Sequence, residues 1–269
     1  MTDSSFHPGI FSTNAGTREY ELYTPSNQAA GSPLVLMLHG CTQDPDDFAA
    51  GTRMNVLAED NGFAVLYPAQ PSSVNARGCW NWFCPSHQGR DGESGLLADL
   101  ARHIAGQLNS DPKRIFVAGM SAGGAMAALL ALNFPELFAA MGSHSGIAPN
   151  AASNLIGALL VMKGLGRVKK GPLIEVPSIV FQGDADGTVN ARNGDRLWHA
   201  IAEGRDEETP IDGGTRTLRK DSAGKVFGEY WKIHGLGHAW SGGSPLGSYT
   251  KADGPDASRE MVRFFLKLG

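Results

Sequence analysis

Arg114-Ile115-Phe116-Val117-Ala118-Gly119-Met120-Ser121-Ala122-Gly123-Gly124 passes from an apolar run to a glycine-rich turn and then to helix-forming residues. The β-branched and aromatic residues before the turn predict a buried strand. Ala125-Met126-Ala127-Ala128-Leu129-Leu130 after it predict a helix. Between them stands Gly-x-Ser-x-Gly. A serine on a tight strand-to-helix turn has strained dihedrals, and its neighbours must lack side chains so that backbones can pass closely. Such a turn lifts the hydroxyl above the sheet edge and aims the next N–H, that of Ala122, at the oxygen of a bound carbonyl. The pentapeptide alone is also compatible with an ordinary glycine-rich turn. The strand before it and the helix after it favour a nucleophilic serine.

Working outward, strand-like and helix-like runs alternate along the chain. The strand candidates are Arg18 to Thr24, Leu34 to Leu38, Phe63 to Leu66, Ile115 to Ala118, Ala139 to Met141, Ile179 to Gln182 and Val226 to Ile233. The helix candidates are Asp46 to Glu59, Glu93 to Leu108, Ala122 to Asn133, Ala191 to Glu203 and Ala257 to Leu268. This alternation predicts an α/β fold: a mostly parallel, twisted sheet with helices on both faces and its site at the carboxyl ends of the strands. No repeat or linker divides the chain, so one catalytic domain over residues 1–269 is expected. The stretch Ala151 to Lys170, apolar in its middle and basic at its end, reads either as a packed helix or as a cap over the site.

The 269 residues carry a mild net charge of −4 with mixed signs, which argues against a nucleic-acid or anionic-membrane surface. No apolar run reaches membrane-spanning length. Met1-Thr2-Asp3-Ser4-Ser5-Phe6 lacks the basic start and apolar core of a secretory signal. A cytoplasmic protein is expected, or a secreted one from which a signal was removed. The three cysteines, Cys41, Cys79 and Cys84, have no zinc-site spacing; they read as three reduced thiols or one disulfide. Neither a metal nor a cofactor is expected.

A serine hydroxyl needs a base, and the base needs a carboxylate to fix its tautomer and stabilise its cation. Where the serine sits on such an elbow, the chain order is Ser, then Asp or Glu, then His. Downstream of Ser121, the strand Ile179 to Gln182 runs into Gly183-Asp184-Ala185-Asp186-Gly187-Thr188. Asp184 follows the strand at once and is placed to bond turn amides. Asp186, farther out in the loop, is the preferred acid. Four of the eight histidines precede the serine, and His144 and His199 lie inside other elements. Of the remaining two, His234 closes a strand, whereas His238 lies in a glycine-rich loop from which a base can swing onto Ser121. The second oxyanion donor belongs in the loop after Leu34 to Leu38, which points to the Cys41 N–H beside that of Ala122. Reading Cys41 itself as a nucleophile leaves it without a base beside it in sequence.

Leu38-His39-Gly40-Cys41-Thr42-Gln43, Cys79-Trp80-Asn81-Trp82-Phe83, Gly119-Met120-Ser121-Ala122-Gly123-Gly124 and His238-Ala239-Trp240-Ser241-Gly242-Gly243 together resemble the esterase/poly(3-hydroxybutyrate) depolymerase family of α/β-hydrolases, which is related to feruloyl and acetyl-xylan esterases. The motifs span residues 38 to 243. The resemblance implies an α/β-hydrolase fold and a serine esterase. Its triad would be Ser121, Asp186 and His238, with oxyanion donors at Cys41 and Ala122. It also implies a Cys41–Cys79 pairing that holds the oxyanion loop, with Cys84 free or competing for Cys79. Trp80, Trp82 and Trp240 are expected to line the substrate, although Trp80 and Trp82 read equally well as rings packed on the core under a long loop. Secreted polymer-degrading relatives often carry a linker and a polymer-binding domain, and this chain has room for neither. Short-chain esters, hydroxyalkanoate oligomers, amorphous polyester and acylated or feruloylated sugars are therefore the expected substrates. A peptidase on the same fold and a binding protein that kept the fold are the rival readings.

Overall fold

The computed structural model describes residues 4–166 and 171–268. Elements are numbered along the chain. β1 (Ser5–Thr13) and β2 (Gly16–Thr24) form a hairpin, followed by β3 (Leu34–Leu38), α1 (Pro45–Thr52), α2 (Met54–Asn61) and β4 (Ala64–Pro68). Then come α3 (Gly92–Gln107), β5 (Ile115–Met120), α4 (Ala122–Asn133), β6 (Ala140–His144), α5 (Leu155–Met162), β7 (Ser178–Gly183) and α6 (Arg192–His199). A second hairpin, β8 (Arg205–Ile211) and β9 (Gly214–Lys220), leads into β10 (Val226–Ile233). The short β11 (Trp240–Ser241) and β12 (Thr250–Lys251) precede the last helix, α7 (Ala257–Leu266).

Ten strands form one sheet in the order β1-β2-β4-β3-β5-β6-β7-β10-β9-β8. The central run from β4 to β10 is parallel, and the two hairpins add antiparallel edges. Every residue of β3, β4, β5, β6 and β7 is buried, because helices cover both faces. Alternate side chains feed two cores. Leu34, Leu36, Leu38, Ile115 and Val117 pack with α3 and α4; Val35, Met37, Phe116 and Ala118 pack with α1, α2 and α7. Apolar runs at those strands are what the burial requires.

Three expectations are corrected. The single helix over 46–59 is two helices. Arg53 adopts the left-handed conformation (φ 55°) between them, with its guanidinium on the Gly242 carbonyl and Asp256. β1 precedes the first expected strand, and the β8–β9 hairpin lies in a stretch where the sequence reading places no element. Both lie at sheet edges and have no buried residue in the edge strand; β8 is mostly charged and polar, and β1 is interrupted by Pro8 and Gly9, which disfavour a strand reading. Within 151–170, α5 is a helix with a mostly exposed apolar surface, including Leu155, Ile156, Leu159 and Leu160; residues 167–170 lie outside the described residues. Among the described residues, no helix is long and apolar enough to cross a membrane.

Candidate active site

Ser121 stands between β5 and α4 at φ 55° and ψ −118°, a conformation that costs an L-residue of order 1–3 kcal/mol. The surroundings hold it there. Its N–H donates to the His144 carbonyl at the end of β6 (2.9 Å), and its carbonyl accepts from Ala125 in α4 (2.9 Å). Gly123 is required by packing: a Cβ there would lie 2.0 Å from the Leu38 carbonyl oxygen of β3. The first turn of α4 therefore sits directly on the end of the neighbouring strand. Ala122 opens the helix, so its N–H is one of the helix's unsatisfied donors.

The loops after β7 and β10 deliver the other two groups. His238 Nδ1–H donates to Asp186 Oδ2 (2.8 Å), with the carboxylate fully buried and the imidazole nearly so. Asp186 Oδ1 accepts from the Thr188 and Val189 amides at 2.9 and 2.8 Å. Burial alone would raise this carboxyl. The His238 hydrogen bond and charge, with the two amides, outweigh burial and hold it below the usual carboxylate range. The residues set aside in sequence pair with each other: His234 Nδ1–H donates to Asp184 Oδ2 (2.9 Å) on the surface. The two aspartates are thus separated by environment, one buried behind a histidine at the cavity and one solvated.

Ser121, His238 and Cys41 line one cavity of about 340 Å³. Its other walls include Thr42, Arg77, Trp82, Phe83, Leu155, Leu159, Met162, Thr188 and Tyr249. Thr42 (φ 66°) and Tyr249 (φ 51°) share the left-handed backbone of Ser121, so strain gathers at this cavity. Their side-chain hydroxyls meet at 3.1 Å, tying the loop after β3 to the segment beyond His238.

The loop bearing Cys41 is fixed from several sides. A disulfide joins Cys41 to Cys79, as the family resemblance implies, and Cys84 is free. Thr42 N–H donates to the Arg77 carbonyl (2.8 Å), and Gly40 N–H donates to Gln43 Oε1 (2.9 Å). Buried His39 accepts the Gln70 amide at Nε2 (3.2 Å) and donates from Nδ1 to the Gly40 carbonyl (2.7 Å). Its burial lowers its pKa, so it serves as a neutral strut. Replacing Cys79 with serine is expected to cost about 2–4 kcal/mol of stability and to lower kcat more than it raises KM. Denaturant unfolding and kinetics, with and without reductant, check this; unchanged stability of the wild type on reduction would oppose it.

The three tryptophans divide. Trp82 lines the cavity. Trp80 and Trp240, expected there, do not. Trp80 is fully buried, lies tilted against the His39 ring and donates Nε1–H to the His39 carbonyl (2.9 Å). Trp240 is equally buried and donates to Ser258 Oγ (3.0 Å). Both hold the loops from beneath, because an indole in this core can satisfy its single donor on a neighbour.

Two supporting residues carry no local sequence signal. Glu93 is almost wholly buried; it accepts from Arg18 (2.8 Å), Gln70 (2.6 Å) and the Asn81 amide (2.6 Å), anchoring the loop that carries Cys79 and Trp82. His144, set aside as lying within another element, is fully buried between Phe181 and Trp240. Its Nε2 accepts the Ser241 amide (3.2 Å) while its own carbonyl holds Ser121 N–H. One residue thus braces both the serine turn and the loop of His238. Burial, reinforced by His238, pushes it down to about 3, so it remains neutral beside the pair.

The architecture matches known α/β-hydrolases. An acetyl xylan esterase from Aspergillus awamori superposes with a TM-score of 0.76 over 98% of this chain and 100% of its own, at 19% identity. An S-formylglutathione hydrolase from Agrobacterium tumefaciens gives 0.64 at 15% identity, covering 100% and 97%. The fold is thus the α/β-hydrolase fold. In sequence, the chain is 28% identical over 265 residues to poly(3-hydroxyalkanoate) depolymerase C of Paucimonas lemoignei, covering 90% of this chain and 62% of that protein. It is 34% identical over 153 residues to a probable acetylxylan esterase A of Neosartorya fischeri, covering 55% and 40%. The chain therefore spans less than two thirds of the length of these relatives. Residues 18–202 match the profile described as Esterase PHB depolymerase, and the chain belongs to that family.

Proposed function

We propose that the protein is a cofactor-independent carboxylic ester hydrolase in which Ser121, His238 and Asp186 act as nucleophile, base and orienting acid. The observation that carries this is the His238–Asp186 hydrogen bond at the cavity that Ser121 also lines, with the three residues in the chain order serine, acid, histidine. Ser121 Oγ attacks the ester carbonyl while His238 Nε2 takes its proton. The Cys41 and Ala122 amides hold the oxyanion. His238 then protonates the departing alcohol, and the acyl group remains on Ser121. Water, deprotonated by His238, releases the acid and restores the serine.

The cavity walls bear on substrate. Leu155, Leu159 and Met162 on α5, with Phe83 and Trp82, present an apolar surface to whatever enters. That favours short-chain acyl esters and hydroxyalkanoate oligomers or amorphous polyester over the hydroxyl-rich face of a xylan. A panel of p-nitrophenyl esters from acetyl to octanoyl, hydroxybutyrate oligomers, methyl ferulate, acetylated xylan and peptide amides tests the reading. The expected outcome is the highest kcat/KM on the short acyl esters and hydroxybutyrate oligomers. Cleavage of peptide amides alone would replace it with the peptidase reading, and a preference for ferulate or acetylated xylan would move the substrate class to plant cell-wall esters.

A further inference from the structure

Among the described residues, Arg77 is the single side chain of the Arg, Lys, Asp and Glu types that lines the Ser121 cavity. Its backbone is held firmly. The Arg77 N–H donates to Asn75 Oδ1 (3.1 Å), its carbonyl accepts Thr42 N–H (2.8 Å), and two residues on, Cys79 is bonded to Cys41. The guanidinium is exposed and, among the described residues, has no hydrogen bond, ion pair or ring contact. The other arginines near the loops differ: Arg18 is paired with Glu93, Arg53 with Asp256 and Arg90 with Glu136. An arginine that has no partner among the described residues, on a clamped loop at the wall of a largely apolar cavity, offers a planar set of donors suited to a carboxylate. Asp186, the nearby acid, is already committed to His238 and two amides.

We infer that Arg77 selects ester substrates that carry a free carboxylate, the class to which the soluble acid-terminated oligomers of hydroxyalkanoic acids belong. The inference rests on the ester-hydrolase reading above. Arg77 is a binding residue here and takes no part in the bond changes. Its fork engages the terminal carboxylate while the neighbouring ester lies at Ser121. In water-exposed surroundings such a contact is modest and salt-sensitive, so its contribution shows as a preference between otherwise equal substrates.

The test compares two probes, the linear dimer of 3-hydroxybutyrate and its terminal carboxamide, which differ only in the end group, a carboxylate or a neutral amide of the same size. For the wild type, kcat/KM for the acid is expected to exceed that for the carboxamide by about tenfold at low salt, with the ratio shrinking as salt rises. In Arg77→Gln the ratio falls to about one, chiefly through KM for the acid. In Arg77→Lys it is intermediate, since charge is kept and the fork is lost. A wild-type ratio near one, or an unchanged ratio in Arg77→Gln, overturns the role of Arg77 while leaving the hydrolase reading in place. Failure of the wild type to cleave either dimer or any p-nitrophenyl ester overturns both.

Discussion

Ser121→Ala is expected to lower kcat/KM for p-nitrophenyl acetate by at least about 10⁴-fold, with the fold retained. Alanine keeps the elbow's volume nearly unchanged. It still has to occupy φ 55°, a conformation already tolerated because the His144 carbonyl and Ala125 N–H clamp the turn. The loss is chemical: no oxygen remains to bond the carbonyl carbon, and the oxyanion donors act on water attack alone. Near-UV circular dichroism matching the wild type, together with the rate loss, is the expected pair of results. Full activity in this variant would remove Ser121 from the reaction. A loss of native dichroism would attribute the effect to folding, and Ser121→Cys, which keeps a nucleophile on the same turn, then separates the two.

The second large effect concerns Asp186. Changing it to asparagine preserves size and leaves one oxygen for the Thr188 and Val189 amides. The atom facing His238 Nδ1 then becomes an NH₂ group. Donor meets donor, and the imidazole is driven to carry its proton on Nε2, where it cannot accept from Ser121. A kcat reduction of about 10⁴-fold is expected, with KM little changed. A stability effect accompanies it. The Asp186 carboxyl titrates lower in the folded chain than its usual value. Its charged form therefore stabilises the fold at pH above the ordinary carboxylate range near 4, and that contribution is lost as pH falls through the depressed folded value. The Tm difference between wild type and Asp186→Asn should be largest near neutral pH and shrink below about pH 4. A kcat within tenfold of wild type would show that another carboxylate orients the base, and Asp184→Asn, expected to be nearly silent, is the paired control.

The sequence was informative where burial was complete. Leu34 to Leu38, Ile115 to Ala118 and Ile179 to Gln182 read as strands because a covered parallel strand must be apolar on both faces. Their carboxyl ends carry Cys41, Ser121 and Asp186, so locating the strands located those residues too. His238 followed from chain order and from the freedom of a glycine-rich loop. The edges were harder to read. β1 and β8 have no buried residue, β1 carries Pro8 and Gly9 and β8 is mostly charged and polar, and only the Asp212-Gly213 pair marks the second hairpin.

The cavity walls depended on tertiary packing that no local pattern encodes. Trp80 and Trp82 stand two residues apart in one loop, yet Trp80 turns its indole to the His39 carbonyl while Trp82 faces the cavity. Leu155 and Leu159 are one turn apart on α5, so both reach the cavity from the same face. Tyr249 arrives through β11–β12 pairing, with Trp240 N–H on its carbonyl (2.7 Å). Glu93 and His144 brace the site through contacts 12 to 97 residues distant in sequence, which is why neither stood out.

Reaction with a fluorophosphonate tests the central claim most directly. Intact-mass and peptide mass spectrometry should show one adduct per chain, on the peptide containing Ser121, with ester hydrolysis falling in proportion to labelling. Labelling should slow sharply in Asp186→Asn and be absent in Ser121→Ala. An adduct on a different residue that tracks the loss of activity, or full hydrolysis with no adduct at Ser121, would contradict it.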